Sequence, residues 1–153
     1  MLKKAEENEM PALLFMGEHE MLRLLPLWNE PTPEIRYGVI PLESTDKKNA
    51  FNNWRRVAGC APYVFSDDPD TYKRHSDPVV RSIGAEFERT EIREYNDRKY
   101  FIGDSLNRNG ECLFRTVACE GMVHWPTTVF AELVWEHISR FKRDMNTGKC
   151  IRL

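Results

Sequence analysis

The stretch 90–153 constrains the fold of this chain more than any other part of its sequence. Two strand-like runs, 91–95 and 98–102, flank Asn96 and Asp97, and two turn-forming residues between such runs predict a tight hairpin. The run 112–119 is apolar on both alternating faces except at Arg115. This pattern is typical of a central strand that is covered on both sides.

A long helix is predicted after this strand. Apolar side chains recur at helical spacing over 129–145, at Val129, Phe130, Leu133, Val134, Ile138, Phe141 and Met145. Acidic residues lie early in this run and basic residues lie late, which complements the helix dipole. We expect residues 146–148 to end the helix and residues 149–153 to return as a strand.

The first half of the chain predicts further elements. Residues 1–9 are polar and are expected to be disordered. Apolar periodicity and turn residues predict a helix at 18–25, a strand at 34–42, a helix at 46–58, a short strand at 62–65 and a polar loop at 66–77. The basic residues Arg55 and Arg56 are expected on the solvated face of the helix at 46–58.

Asp77 and Pro78 are a strong helix start, because an acid can cap the helix and proline suits its first turn. The buried face of this helix is expected to comprise Val79, Val80, Ile83 and Phe87. Gly84 would lie in its middle and weaken it.

Composition indicates one globular domain. Of the 153 residues, 41% are hydrophobic and 30% are charged. We therefore interpret 10–153 as a single α+β domain with a mixed, mostly antiparallel sheet flanked by helices. Charged residues interrupt the apolar block 10–27, and the N-terminus is polar, so we expect no membrane span, no export signal and a cytoplasmic location.

The net charge argues against one class of partner, and the spacing of the cysteines indicates the state of the thiols. A net charge of −2 argues against nucleic acid as a partner, because such binding normally needs a clustered basic face. The four cysteines are widely spaced and are expected to be reduced core thiols: Cys60, Cys112, Cys119 and Cys150.

The order of the predicted elements is strand, helix, helix, hairpin, strand, helix, strand, and it resembles the GNAT family of N-acetyltransferases. Residues 39–46, followed by a helix, look like the opening strand and first helix of that family. Residues 111–153 look like its fourth strand, third helix and fifth strand. The resemblance covers 34–153 and implies acyl transfer from acetyl-coenzyme A to an amine on a small molecule, a protein or a nucleobase.

The resemblance also implies a cofactor loop before the last helix. Family members use a glycine-rich loop there, whose backbone N–H groups reach the pyrophosphate of coenzyme A. The matching loop, 120–128, has one glycine, and its binding residues would be Gly121, Met122, Val123, Thr127 and Thr128. The free N–H groups and partial positive charge of a helix N-terminus would favour an anion at this position. A plain strand-to-helix connection with a threonine cap is the alternative.

Glu111 and His124 are the candidate general bases, because direct amine acylation needs a group that removes a proton from the attacking nitrogen. Glu111 begins the strand where the family often places such a base, and His124 lies in the turn beside the acyl donor. The hairpin 91–102 would line the acceptor side. A surface acid and a half-exposed histidine are the alternative interpretation of the two residues.

Two further functions are compatible with this sequence. Soft metal ligands are present, but they lack zinc-site spacing, so no metal is expected: Cys112, Cys119, His124, His75 and His137. The competing function is a catalytically inactive GNAT-like protein, of a kind that a phage could encode, that occupies a partner or host protein surface. Exposed aromatic residues would carry that binding, with Trp28, Tyr72 and Trp125 as candidates.

Overall fold

The computed structural model describes residues 9–18, 50–64, 71–122 and 127–153. Several predicted features lie wholly or partly outside these residues: the tail 1–9, the helix at 18–25, the strand at 34–42, the start of the helix at 46–58, the loop at 66–77, and the aromatic residues Trp28 and Trp125. The single domain over 10–153 stays a prediction.

The main sheet has four strands: β1 (Ala12–Gly17), β2 (Arg89–Tyr95), β3 (Arg98–Leu106) and β4 (Cys112–Cys119). Their order is β1-β4-β3-β2. β2 pairs antiparallel with β3, β3 pairs antiparallel with β4, and β1 runs parallel to β4. The prediction of an α+β protein with a mixed, mostly antiparallel sheet is therefore confirmed.

The predicted hairpin between β2 and β3 is also confirmed. Asn96 and Asp97 have φ angles of 51° and 61°. Positive φ at both central residues matches the right-handed twist of the flanking strands, and asparagine and aspartate tolerate this conformation better than most residues. The pairing then runs in register from Tyr95 with Arg98 to Arg89 with Asp104.

β4 is the central strand, as predicted, and all eight of its residues are buried. Alternate residues face opposite sides of the sheet. Phe114 and Ala118 join a core with the helices α1 (Ala50–Val57) and α2 (Pro78–Ile83). Val117 and Cys119 join a second core with α3 (Phe130–Ile138).

β1 was missed by the sequence analysis, which treated residues 10–28 only as an apolar block. Its segment Ala-Leu-Leu-Phe-Met-Gly has no alternation and no β-branched residue, so the usual strand signals are absent. It contributes to both cores, with Met16 on one side and Leu13 and Phe15 on the other. An apolar run without alternation is what a strand covered on both sides requires.

The sequence predicted the stop of the first short helix and the start of the second, but two other features need correction. Gly59 (φ 71°) follows α1, as predicted, and Asp77 caps α2 by accepting from the Val79 amide at 2.7 Å. Gly84 does not lie inside α2; it ends the helix in the left-handed conformation at φ 75°. Arg55 is buried rather than solvated, because it pairs with Glu88 at 2.5 Å.

The predicted short strand at 62–65 is wrong for the residues that the structure describes there. Residues 62–64 form no strand, and the Tyr63 amide donates to the side chain of Asn52 at 2.7 Å. The Asn52 amide group donates back to the Tyr63 carbonyl at 2.7 Å. A side chain thus satisfies the backbone groups that a strand neighbour would have taken.

The long helix over 129–145 is also wrong, because α3 ends at Ile138. The chain then forms β5 (Phe141–Arg143), which pairs antiparallel with β6 (Cys150–Arg152) in a separate two-stranded sheet. The turn 144–148 explains the error. Asp144 accepts from the amides of Asn146 and Thr147, and Gly148 has φ 75°. The predicted terminal strand exists but pairs locally. Among the described residues, no helix is long and apolar enough to cross a bilayer.

Candidate functional site

The predicted cofactor loop is only partly described, since Val123 and His124 lie outside the described residues. The amide of Gly121 is engaged: it donates to a carboxylate oxygen of Glu18 at 2.9 Å. The other oxygen of Glu18 accepts from the Ser82 hydroxyl at 3.0 Å. A carboxylate therefore occupies the position at which a pyrophosphate oxygen would approach Gly121.

The rest of the loop mostly forms local bonds. The Met122 amide donates to the Cys119 carbonyl at 3.3 Å, and the Thr127 hydroxyl accepts from Tyr100 at 2.8 Å. Thr128 is exposed, and α3 begins at Phe130, after the N-cap residue Val129, without a side-chain cap. The start of α3 is thus the part of the predicted site that has the partial positive charge and backbone N–H groups of a helix N-terminus.

Glu111 lies at the other end of β4. Its amide donates to the Asn107 side chain at 2.9 Å, and the Asn107 side-chain amide donates to its carboxylate at 3.3 Å. Seven residue steps separate the ends of β4, which is about 23 Å at strand spacing. The structure therefore brings Gly121, Met122, Thr127 and Thr128 into one region but leaves Glu111 at the opposite edge.

The sequence analysis missed a charge network on the α3 face of the sheet. It contains three arginines and three carboxylates in alternation: Arg89, Asp104, Arg115, Glu136, Arg93 and Glu91. Arg115 is central, since its Nε donates to Asp104 at 2.7 Å and its Nη1 to Glu136 at 3.1 Å. Arg93 pairs with both Glu136 and Glu91. The signal in the sequence is the single charged residue inside the apolar run of β4, because a buried charge requires a partner.

Electrostatics fix the ionisation of this network. Burial alone would raise the pKa of Asp104, but hydrogen bonds and charge from Arg115, together with Arg89, lower it to about 2. Hydrogen bonds from Arg93, and then from Arg115, lower the pKa of Glu136 below its ordinary value. These carboxylates stay ionised and bonded at neutral pH, so none of them is poised as a general base.

A pocket of about 360 Å³ lies beside the network, lined by Arg89, Thr90, Glu91, Ile102, Asp104 and Arg115. Two positive and two negative side chains line it, so the lining carries no net charge. Asp104 and Arg115 are almost fully buried, while Arg89 is half exposed across the opening. Because these charges are already paired with one another, the lining offers a ligand few unused charges.

His137 lies on the buried face of α3. Its Nε2 donates to the Leu113 carbonyl at 3.2 Å, and its Nδ1 accepts from Arg140 at 2.7 Å. Burial, followed by the charges of Arg115 and Arg140, lowers its pKa to about 4. Both nitrogens of the neutral ring are bonded, so its environment is that of a structural histidine.

The thiols also behave as core residues. Cys60, Cys112 and Cys119 are buried, Cys150 is half-buried, and all four are unbridged. Burial raises the pKa of Cys60 to about 11 and that of Cys112 to about 12. Such thiols are poor nucleophiles near neutral pH. Within the described residues, no three potential ligands are grouped to hold a metal ion.

The outer face of α3 carries two exposed apolar side chains. Trp135 on α3 is 71% exposed, and Ile138 beside it is 40% exposed. The inner face of the same helix carries Val129, Leu133 and His137, all buried.

Tyr72, which the sequence analysis named as an exposed aromatic, is buried, and its hydroxyl lies 3.1 Å from the Tyr63 hydroxyl.

No protein-family model matches the chain, and neither a curated protein nor a solved structure shows significant similarity to it.

Proposed function

We propose that this chain is a non-catalytic protein-binding module that docks through the outer side of α3. The observation that carries the proposal is the exposure of Trp135, with Ile138 one helical turn further along. Tryptophan is enriched among the residues that dominate binding energy at protein interfaces. Among the large exposed hydrophobic side chains of the described residues, Trp135 is the one aromatic residue.

The chemistry of the described residues supports binding over catalysis. The carboxylates of the charge network are held ionised by arginines, and the buried thiols have raised pKa values. The Gly121 amide already bonds a carboxylate. An acid–base catalyst needs a group with a pKa near the working pH, and these groups are shifted away from it.

Capture from cell extract by the immobilised full chain, followed by mass spectrometry, tests the proposal. The expected result is a stoichiometric partner that Trp135→Ser loses, because truncating an interface tryptophan removes more than about 2 kcal/mol of binding energy, or about 30-fold in affinity. Met145→Ser is the matched control, since Met145 is 87% exposed and lies off α3. Equal recovery of the partner with Trp135→Ser and with the unchanged chain would reject this docking surface.

Acyl transfer from acetyl-coenzyme A to a small-molecule or protein amine is the second candidate, and the uncapped start of α3 favours it. Thr127 and Thr128 precede that start and could add hydroxyl donors to an anion site. In this scheme the loop 121–128 holds the pyrophosphate, and Glu111 or His124 removes the proton from the amine.

Titration calorimetry with acetyl-coenzyme A tests the second candidate. If the loop holds the pyrophosphate, Glu18→Gln should tighten binding, because it removes a negative charge from beside the Gly121 amide. Glu86→Gln, which alters an exposed carboxylate outside α3, is a charge-matched control. Absence of heat for the unchanged chain and for Glu18→Gln at millimolar ligand would reject the acyl-donor scheme.

A further inference from the structure

β2 is an open edge of the main sheet within the described residues, since it pairs with β3 on one side only. The two-residue turn at Asn96 and Asp97 makes Tyr95 and Arg98 a hydrogen-bonded pair. Hydrogen-bonded and non-hydrogen-bonded pairs alternate along an antiparallel ladder. The backbone N–H and C=O groups of Thr90, Ile92 and Glu94 therefore point away from β3.

The side chains of β2 have a self-complementary order, Arg-Thr-Glu-Ile-Arg-Glu-Tyr. In an antiparallel pairing centred on Ile92, Glu91 lies opposite Arg93 of the second copy, and Arg93 lies opposite its Glu91. Ile92 then lies opposite itself, and Thr90 lies opposite Glu94. Opposite charges and apolar side chains placed directly across an antiparallel pair stabilise it.

Neighbouring registers lack this complementarity. A pairing centred on Glu91 places Glu91 opposite itself and Arg89 opposite Arg93, whereas a pairing centred on Arg93 places Arg93 opposite itself. Like charges directly across a strand pair are unfavourable. Of these three registers, the sequence of β2 thus favours the one centred on Ile92.

We propose that two copies of this chain pair β2 against β2, antiparallel and centred on Ile92, so that their main sheets form one continuous sheet. The two-fold axis is then perpendicular to the sheet and keeps both α3 helices on the same side. Ile92, which is 42% exposed, becomes covered at the centre of the contact. The Glu91–Arg93 pairs lie on the α3 face, where the charge network reaches the edge of the sheet. The contact is isologous, as in most homodimers.

The second copy would also extend two pockets at this edge. Thr90 and Glu91 line both the pocket beside the charge network and a second one formed with Asp77, Val79 and Ile92. Residues of the second copy's β2 would lie next to Thr90 and Glu91. The pairing satisfies the outward backbone groups of three residues in each copy, which water satisfies in a free edge.

Sedimentation velocity of the full chain over a wide range of concentration tests the contact. The expected result is a reversible change from one copy to two. Ile92→Lys should weaken the association by about tenfold, because it removes the central isoleucine contact and makes two lysines face each other there. Ile151→Lys is the matched control, since Ile151 is 40% exposed and also lies on a strand, and it should associate as the unchanged chain does. A single copy at every concentration, or unchanged association of Ile92→Lys, would overturn the proposal.

Disulfide trapping tests the register without depending on the lysine variant. Directly opposite residues in a hydrogen-bonded pair have Cα atoms about 5.5 Å apart, within reach of a disulfide, so Ile92→Cys should crosslink under mild oxidation. Thr90→Cys is displaced from its own copy by four residues, about 13 Å, and should not crosslink. The unchanged chain controls for the four native thiols. Crosslinking of Thr90→Cys as readily as Ile92→Cys, or of neither variant, would contradict the pairing.

Discussion

Acidification should weaken the fold through His137, in a window set by its surroundings. The neutral ring donates to the Leu113 carbonyl and accepts from Arg140. Protonation would remove the acceptor and place a cation against the Arg140 guanidinium in a site with no solvent exposure. The pKa of His137 is therefore about 4 in the folded chain, compared with an ordinary value of 6.5.

The sign and size of the effect follow from proton linkage. Between these two pKa values the unfolded chain binds more protons than the folded chain, so stability is full above about pH 6.5 and falls as the pH decreases towards 4. The difference of about 2.5 units corresponds to a limit of about 3 kcal/mol, of which about 2 kcal/mol is lost by pH 5. Asp104, whose pKa is lowered from 3.8 to about 2, contributes only at lower pH.

Urea unfolding at pH 7 and pH 5 measures this loss. His137→Gln keeps a donor and an acceptor without titrating, so its free energy of unfolding should change by about 2 kcal/mol less than that of the unchanged chain. Met145→Ser, which alters an exposed side chain that does not titrate, is the control and should follow the unchanged chain. Equal pH dependence of the unchanged chain and His137→Gln would refute the reasoning.

The remaining predictions concern stability and are measured by the same unfolding assay, with circular dichroism as the check on folding. Asp104→Asn removes the buried counter-charge of Arg115, leaves it only the partly exposed Glu136, and should cost about 3–5 kcal/mol, since breaking a buried pair is costly; a loss below about 1 kcal/mol would mean that the pair is not desolvated. Gly103→Ala should cost about 1–3 kcal/mol, because its Cβ would lie 2.5 Å from the Phe87 ring, and shortening that residue in the double variant Gly103→Ala/Phe87→Leu should recover part of the loss. Asp77→Ala should cost about 1 kcal/mol by removing the α2 cap, whereas Asp77→Ser should retain most of it; similar losses in both would argue against capping.

Local chemistry was the part of the fold that the sequence predicted well. Asn96 and Asp97 predicted the hairpin because few residues accept positive φ, and Asp77 with Pro78 predicted the start of α2. The central position of β4 followed from a run that is apolar on both faces except at Arg115. In each case a short segment carries the whole signal.

The prediction of a long helix over 129–145 was wrong because two local signals favour different structures there. Phe141 and Met145 continue the period of α3, but Asp144 and Gly148 favour a turn, and the turn prevails. Met145 is 87% exposed, so this residue is not a buried apolar position as the helix prediction assumed. Phe141 is partly buried and contacts His137, but it does so from a strand. Hydrophobic periodicity takes no account of the hydrogen bonds by which the Asp144 side chain stabilises the turn.

The site was harder to predict than the fold, because its contacts join distant parts of the chain. Glu18 reaches the Gly121 amide across 103 residues, and Arg93 reaches Glu136 across 43. Nothing in the local sequence of either pair indicates its partner. Arg115, a charge inside an apolar strand, is the residue whose position could have indicated a buried partner, but not which residue that partner is.

The most direct measurement of the central claim compares partner capture by two variants of the full chain. Trp135→Ser removes the exposed aromatic of α3, whereas the double variant Glu111→Gln/His124→Ala removes both candidate general bases. The binding account predicts that the double variant retains the stoichiometric partner and that Trp135→Ser loses it. The opposite pattern, in which capture or acetyl transfer depends on Glu111 and His124 and is indifferent to Trp135, would contradict the account.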